Sequence, residues 1–219
     1  MENLQKLRTR FILISMPISI VCLAIAAYTH SGPMGGALWS YGFAFAYGAW
    51  AVYTKDKILQ QFLLFALAAG FTELLADAWI EGTNTLFYPK DEPMLYRSPM
   101  YMPFSWVVVL IQLGYIGYLI HKKWGLLPAI GLVGAMGCMI IPFYEFLAIH
   151  AGWWHYENAP MWGLVPKFIY LAEGILMLSI PMLFDKSAQS SKMKAVFLGV
   201  VQGLVMLAAS IVAFALIGH

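Results

Sequence analysis

Five carboxylic acids of this sequence could do chemistry, because they lie within or near the ends of long apolar segments, where ionisable residues are rare. They are Glu73, Asp77, Glu81, Glu145 and Glu173. An acidic side chain at the centre of a membrane span costs about 2.5–3.5 kcal/mol on insertion scales, so each of these acids requires a reason. The first three follow one another at intervals of four residues, which stacks them on one face of a helix. Such a face can transfer protons, bind a cation or hold a metal ion.

Acids that crowd together in apolar surroundings cannot all be ionised, because burial and like-charge repulsion both favour the protonated form. A protonated acid beside an apolar surface can donate a proton, and an ionised neighbour can act as a base or stabilise a cation. No lysine or arginine lies in the core of the apolar segments to neutralise them. We therefore predict catalytic roles for four acids: Glu73, Asp77, Glu145 and Glu173. Glu81 is predicted to bind substrate, although Glu81 and Glu145 also suit a purely interfacial position.

Seven apolar runs supply the elements that must position these acids. A membrane span needs about 20 mostly apolar residues, and the runs that qualify are 11–29, 35–54, 58–80, 103–121, 125–148, 164–185 and 195–218. Hydrophobic residues make up 61% of the chain and charged residues only 11%, whereas soluble domains carry roughly 25% charged residues. The sequence therefore predicts an all-α, polytopic membrane protein, a seven-transmembrane-helix bundle that forms a single domain over residues 1–219.

The lysines and arginines indicate how the spans are oriented. Ten of the thirteen fall in the N-terminal segment or in the connections after the second, fourth and sixth spans. Because positive residues concentrate on the cytoplasmic side, we predict a cytoplasmic N-terminus, in the plasma or inner membrane. On this orientation Glu73 and Asp77 lie in the outer half of the third span, and Glu145 lies near the outer end of the fifth. Glu173 lies about 10 Å below the outer start of the sixth span, so the four acids share the outer half of the membrane.

Two long connections, 81–102 and 149–163, face the outside on this orientation and are rich in aromatic residues and prolines. They suit either an interfacial aromatic belt or a structured cap over a site, since long loops in compact bundles are usually functional. From these connections and the fourth span we predict further substrate contacts at Trp106, His150, Trp153, Trp154 and Tyr156.

Other features of the sequence exclude several classes of protein. The net charge of +2 is too small to indicate a nucleic acid as partner. His150 and His155 flank a glycine and lack the spacing of a zinc-binding helical pair, so no metal site is predicted. There is no Gly-rich phosphate loop and no cysteine-based motif, so no cofactor is predicted.

The most distinctive stretch begins at Glu145, passes through the run Gly152-Trp-Trp-His-Tyr156, and reaches Pro166 and Glu173. An acid before a Gly-Trp-x-x-Tyr turn, followed by a proline that opens the next helix, resembles a pattern in small integral-membrane carotenoid enzymes. These are the heterodimer-type lycopene cyclases and the carotenoid hydratase group. The chain is also similar in size to the seven-helix meroterpenoid cyclases, which rely on intramembrane acids. The lycopene cyclase pattern has paired glutamates directly after the proline, whereas Lys167 stands there in this chain.

The resemblance implies an enzyme that protonates an olefin or epoxide and guides a carbocation among aromatic rings, which stabilise cations. Together with the acids it predicts a lyase or isomerase that performs non-redox cyclisation, isomerisation or hydration on a lipid-soluble isoprenoid, surrounded by membrane lipid. The alternatives are a proton- or cation-coupled transporter and a non-catalytic membrane subunit. The sequence leaves open whether copies of the chain form a homo-oligomer.

Overall fold

The computed structural model describes the backbone of Glu2 and all atoms of residues 3–219, and most of this chain is helical. Its helices are α1 (Glu2–Thr29), α2 (Gly32–Tyr53), α3 (Lys57–Gly82), α4 (Met102–Trp124), α5 (Leu126–His150), α6 (Lys167–Met177), α7 (Ile180–Ala188) and α8 (Lys192–Ile217). Six helical segments are long and apolar enough to cross a membrane: α1, α3, α4, α5, α8 and the stretch Lys167–Ala188, which contains α6 and α7. The predicted all-α, multi-pass membrane architecture is confirmed at this level.

Helix α2 coincides with the predicted second span but is not among the six helical segments that are long and apolar enough to cross a membrane. Its 22 residues include several glycines, tyrosines and tryptophans. Leu38, Phe45 and Val52 are 68%, 77% and 71% exposed. Because they follow at intervals of seven residues, these side chains lie on one face of the helix. The face is therefore both apolar and uncovered, as expected where a helix meets lipid or a partner.

Asp56 connects the starts of two helices at the end of the bundle that holds the N-terminus. Its carboxylate caps α3 by accepting hydrogen bonds from the backbone N–H groups of Ile58 and Leu59, as side chains at helix N-termini commonly do. The same oxygen accepts a hydrogen bond of 2.7 Å from Arg8 of α1. Arg8 also donates to the hydroxyl of Tyr115 in α4 at 3.2 Å. One buried ion pair thus holds α1, α3 and α4 together.

Glycines allow two pairs of helices to approach closely. A Cβ atom on Gly199 of α8 would overlap the carbonyl oxygen of Phe65 in α3, and one on Gly137 of α5 would overlap that of Glu173 in α6. Small residues at helix contacts are typical of membrane bundles, since they let backbones pack together. The second contact matters for the site, because it fixes how far the backbone of Glu173 lies from α5.

The predicted sixth span is interrupted at Leu178 and Ser179, between α6 and α7. Pro181 has no backbone N–H, so the regular hydrogen-bond ladder cannot continue past it. The Ser179 hydroxyl donates to the side-chain oxygen of Gln202 in α8 at 2.6 Å, and the Gln202 amide donates to the Leu176 carbonyl at 3.0 Å. Polar groups at the interruption are therefore hydrogen-bonded within the protein, as backbone groups at membrane depth must be.

Three short antiparallel strand pairs fold the two long connections over one end of the bundle. The strands are β1 (Leu86–Phe87), β2 (Met94–Leu95), β3 (Ser98–Pro99), β4 (His155–Tyr156), β5 (Met161–Trp162) and β6 (Val165–Pro166). The pair of β1 with β4 joins the two connections to each other, while β2–β3 and β5–β6 are local pairs. We term residues 83–101 together with 151–166 the cap. Paired strands and the buried rings of Trp153 and Trp154 favour a structured cap over a simple aromatic belt.

Candidate functional site

A cavity of about 70 Å³ lies beneath the cap, mainly among α3, α4, α5 and α6. The four acids for which the sequence predicts catalytic roles all line it: Glu73, Asp77, Glu145 and Glu173. Four of the predicted substrate contacts line it as well: Trp106, Trp153, Trp154 and Tyr156. We term this space the acid cavity. The structure thus brings together acids from three helices that are far apart in sequence.

Helix α3 supplies two of the acids, one turn apart. Glu73 and Asp77 are 4% and 7% exposed, and their carboxyl groups lie close enough to interact with each other. Asp77 also accepts a hydrogen bond of 2.6 Å from the hydroxyl of Tyr88 in the cap. This length is typical of a hydroxyl that donates to an ionised carboxylate. The cap therefore supplies a fixed hydrogen-bond donor to Asp77.

Glu145, in the last turns of α5, is also held by the cap. The indole N–H of Trp154 and the hydroxyl of Tyr156 both donate to its Oε2, at 2.8 and 2.9 Å. Two donors on one oxygen favour the ionised form of the acid, since hydrogen bonds to a charged form stabilise it. Glu145 is thus a second carboxylate suited to accept protons or stabilise positive charge.

Glu73 and Glu173 differ from these two acids. Each has a buried Oε2 atom that has no hydrogen-bond partner among the residues the structure describes. Trp106 lies beside Glu73, and Glu173 is only 6% exposed. An unpartnered oxygen is free to bear a proton that points at a ligand. The cap therefore donates hydrogen bonds to Asp77 and Glu145 but not to Glu73 or Glu173, and such differences in environment separate a general acid from a general base.

The two tyrosine donors of the cap keep their protons. Burial raises the pKa of Tyr88 well above its ordinary value, and the neighbouring Asp77 raises it further. Burial likewise raises the pKa of Tyr156, with Glu145 adding to the rise. Both hydroxyls are therefore donors at physiological pH, and the carboxylates they contact must accept.

Aromatic rings form much of the remaining wall. Ring centroids lie 6.0 Å apart for Trp153 and Trp154, and 6.1 Å apart for Trp39 and Trp153. Tyr144 and Trp106 complete the aromatic part of the lining. Lysine, arginine and histidine are absent from the lining formed by the described residues. A cation inside this space would meet ring faces, which attract positive charge, and carboxylates.

Glu81 was predicted to contact substrate, but the structure places it outside the acid cavity. Each step of four residues along a helix turns the side chain by about 40°, so Glu81 points roughly 80° away from Glu73. It lies at the surface and pairs with Arg97 of the cap at 2.7 Å. Glu81 therefore connects α3 to the cap rather than lining the site.

His150, for which the sequence predicts a substrate contact, also lies outside the acid cavity. It follows Glu145 by five residues, which turns its side chain by about 140° on the helix. Its ring is exposed and packs edge-on against Phe146 at 4.5 Å. Its backbone carbonyl lies 2.8 Å from the Nδ1 atom of His30. This contact joins the end of α5 to the turn between α1 and α2.

Four polar lining residues are not predicted as site residues by the sequence: Tyr88, Ser105, Tyr144 and Ser210. Tyr88 was one aromatic among many in a long connection, and only the pairing of β1 with β4 brings it over Asp77. Tyr144 adjoins Glu145, but neighbours on a helix point about 100° apart, so adjacency gave no signal. Among the described residues no group of three or more His, Cys, Asp or Glu side chains has the arrangement of a metal site.

The comparison with protein families gives one match. A model described as Domain of unknown function (DUF6989) matches residues 74–217. The matched segment begins within α3 and extends to the end of α8, so it includes Asp77, Glu145 and Glu173 and starts one residue after Glu73. No curated protein matches the chain, and no solved structure matches it.

Proposed function

We propose that this chain, which belongs to the family Domain of unknown function (DUF6989), is an integral-membrane enzyme that performs non-redox acid–base chemistry on an isoprenoid lipid. The observation that carries the proposal is the acid cavity, in which four carboxyl groups meet aromatic walls without a basic residue in the described lining. Acids that share such a space cannot all be ionised, so a proton is available for transfer. Cyclisation, isomerisation and hydration of an isoprenoid can each begin with that transfer.

The membrane arrangement we propose has seven spans, with α2 as the second and the N-terminus in the cytoplasm of a plasma or inner membrane. The uncovered apolar face of α2 supports its contact with lipid. The excess of lysine and arginine at the end opposite the cap supports the orientation, since positive residues favour the cytoplasmic side. On this arrangement the cap is outside and the acid cavity lies in the outer half of the membrane.

The four acids differ in their hydrogen bonds, and we assign them different catalytic roles on that basis. Glu73 and Glu173, each with an unpartnered oxygen, are assigned as proton donors. Asp77 and Glu145, which accept hydrogen bonds from the cap, are assigned as bases or as stabilisers of positive charge.

The proposed reaction starts at a carbon–carbon double bond. The proton of a carboxylic acid adds to one carbon, the π electrons form the new C–H bond, and the other carbon becomes a carbocation. In cyclisation a second double bond attacks that carbon and the resulting cation loses a proton to a carboxylate; in isomerisation the proton is lost directly. In hydration water adds and then loses its proton to the carboxylate. No oxidant or reductant is needed, and proton exchange among the acids restores the starting state.

The stretch from Glu145 to Glu173 that resembles small membrane carotenoid enzymes supports the same class of substrate. In this chain the stretch provides Trp153, Trp154 and Tyr156, all of which line the acid cavity. The cavity of about 70 Å³ is much smaller than the roughly 300–1,000 Å³ of pockets that enclose a whole drug-sized ligand. We therefore assign only the reacting end of the lipid to it.

The test is to replace each cavity acid by its amide and to measure product in a host that makes polyprenyl and carotenoid precursors. General acid–base groups typically contribute about 10²–10⁴-fold to rate, so Glu73→Gln and Glu173→Gln should lower product formation by that order. Asp77→Asn and Glu145→Gln should lower it as well. Products are identified by mass spectrometry of lipid extracts, normalised to the amount of folded protein in the membrane.

Glu81→Gln is the matched control, because it makes the same change on the same helix outside the cavity. It should leave product formation close to the wild-type level. Unchanged turnover in all four cavity variants would overturn the proposal.

A proton- or cation-coupled transporter is the second candidate, favoured by the interruption between α6 and α7 at residues 178–179. Transporters commonly use discontinuous helices near the membrane midplane, where coupling ions bind. In this chain the interruption is filled by Gln202 rather than left open. Flux of protons or of Na⁺ into proteoliposomes that contain the purified protein, without chemical change of any lipid, would favour this candidate over the enzyme.

A further inference from the structure

A second, larger cavity opens on the side of the bundle between α1 and α2, with a volume of about 400 Å³. We term it the α1–α2 groove. Its wall is mainly apolar and includes Ile25, Ala26, Leu38, Gly42, Phe43 and Ala46. No charged residue occurs among its described lining residues. Ile25 and Leu38 are more than half exposed, so the groove opens to the surroundings of the helices rather than to the interior.

The α1–α2 groove adjoins the acid cavity through one side chain. Trp39 lines both spaces and is 7% exposed. Its indole N–H donates to the carbonyl of Ser19 in α1 at 3.2 Å, and its ring contacts Trp153 and Tyr144 of the acid cavity. Trp39 therefore separates the two spaces.

A hydrogen bond crosses the same boundary near the cap. The indole N–H of Trp153, which lines the acid cavity, lies 3.4 Å from the hydroxyl of Ser31, which lines the groove. Leu23 of α1 reaches the acid cavity, while Cys22 next to it in sequence lines the groove. The two spaces thus lie on opposite sides of a thin wall at the same depth.

We infer that the α1–α2 groove binds the hydrocarbon chain of the isoprenoid lipid while the reacting end lies in the acid cavity. This inference rests on the proposed function and identifies the site that binds the hydrocarbon chain of its substrate. The acid cavity is too small for a whole isoprenoid, and the cap covers it from one end of the bundle. The groove offers the missing volume, an apolar wall and an opening towards lipid. Within the membrane such a wall binds a hydrocarbon chain by close van der Waals packing in competition with lipid chains, rather than by removing apolar surface from water.

Gly42 provides a way to fill the groove without disturbing the fold. A Cβ atom added at Gly42 would meet no other atom within 4 Å, so a larger side chain there occupies the groove itself. Gly48 is the matched control, since it lies on the same helix, has equal free space around an added Cβ, and is not part of the groove lining. The pair Gly42→Phe and Gly48→Phe therefore separates filling the groove from placing a large residue on α2.

The experiment uses geranylgeraniol that carries a photoactivatable diazirine near the end of its chain, with the purified full-length protein in phosphatidylcholine vesicles. After illumination, labelled peptides are mapped by mass spectrometry. We expect labels on residues of the groove such as Leu38 and Phe43. Gly42→Phe should reduce labelling about tenfold, which corresponds to about 1.4 kcal/mol of lost binding free energy, because its ring occupies the groove, whereas Gly48→Phe should not. A phosphatidylcholine whose acyl chain carries the same diazirine should label the groove much less.

Labels elsewhere on the protein, equal loss in both glycine variants, or equal labelling by the phospholipid probe would each overturn the inference. Turnover distinguishes this failure from a failure of the proposed function. If the amide variants abolish turnover while the label lies elsewhere, the enzyme assignment stands and the groove is not the chain site. If the prenol labels the groove while the amide variants retain turnover, the groove binds the chain and the assignment of the acids fails.

Discussion

Donors from the cap make the four cavity acids chemically unequal. Tyr88 holds Asp77, and Trp154 with Tyr156 holds Glu145, whereas Glu73 and Glu173 keep an unpartnered oxygen. In the sequence, residue type and predicted depth in the membrane do not distinguish the four acids from one another. Their difference depends on side chains that arrive from a connection folded over the end of the bundle.

Tyr88→Phe tests whether the donor to Asp77 matters for turnover. The variant keeps the ring but removes the hydroxyl, and a hydrogen bond to a charged group contributes about 1.5–3 kcal/mol. We therefore expect kcat/KM to fall by about 10–100-fold, measured on the product found in the host. Tyr96→Phe, in an exposed part of the cap, should have no effect. Equal activity of Tyr88→Phe and wild type would contradict the role given to this contact.

Glu92 of the cap gives a prediction on pH. Partial burial raises the pKa of Glu92 from 4.5 to about 7, so the folded chain holds this proton more tightly than the unfolded chain does. The protonated Glu92 side chain therefore contributes stability to the fold. This contribution is fully present below pH 4.5 and is lost as the pH rises to about 7. Relative to Glu92→Gln, the wild-type Tm in detergent should fall across that window and then stay constant. A difference in Tm that does not change with pH would contradict the prediction.

At the scale of elements, apolar length and acid spacing predicted which helices exist and which face of α3 is acidic. The spacing of Glu73 and Asp77 sufficed because one step of four residues drifts little on a helix. Glu81 and His150 lie outside the acid cavity because the drift accumulates: Glu81 points towards Arg97, and His150, five residues after Glu145, points about 140° away from it. Periodicity therefore fixes neighbours one turn apart better than neighbours two turns apart.

Contacts between distant segments could not be predicted. The length of the apolar run predicts a continuous sixth span, but Pro181 interrupts the helix. The side chain of Gln202 in α8 forms hydrogen bonds with polar groups at the interruption. Neither residue indicates the other in sequence. The pairing of β1 with β4 is equally hidden, since strands of two residues have no periodicity to read. Both features depend on which surfaces pack, and composition does not determine that.

Asp56→Asn tests the ion pair that joins α1, α3 and α4. It leaves Arg8 buried without its charge partner, and breaking a buried pair typically costs about 3–5 kcal/mol. We expect a large fall in Tm measured by tryptophan fluorescence in detergent. Arg97→Gln removes the surface pair with Glu81 and should cost only about 0–1 kcal/mol. Similar losses in both variants would mean that the buried pair has no special role.

At the scale of the whole molecule, the position of the site depends on how the bundle crosses the membrane. Seven spans with an internal N-terminus put Tyr96 of the cap outside and Lys123, after α4, inside. In a Cys22→Ser, Cys138→Ser background, Tyr96→Cys should react with a membrane-impermeant maleimide on intact cells. Lys123→Cys should react only after the cells are opened. The reverse pattern, or labelling of both in intact cells, would refute this topology.

The whole bundle also brings together features that no single helix contains: a cap at one end, acids beneath it and an apolar groove at the side. On the proposed function, a lipid would approach from the membrane while the cap limits the entry of water. A carbocation formed there would meet ring faces and carboxylates before bulk water, and exclusion of water prevents premature capture of reactive intermediates.

The most direct test of the central claim is the transfer of a proton from the cavity acids to carbon. Membranes containing the protein are incubated in D₂O with polyprenyl and carotenoid precursors, and the products are analysed by mass spectrometry. We predict carbon-bound deuterium in the product made by wild-type protein and by Glu81→Gln, and no such product with the Glu73→Gln, Glu173→Gln double variant. Product that contains no carbon-bound deuterium, or deuterated product that still forms in the double variant, would contradict the account.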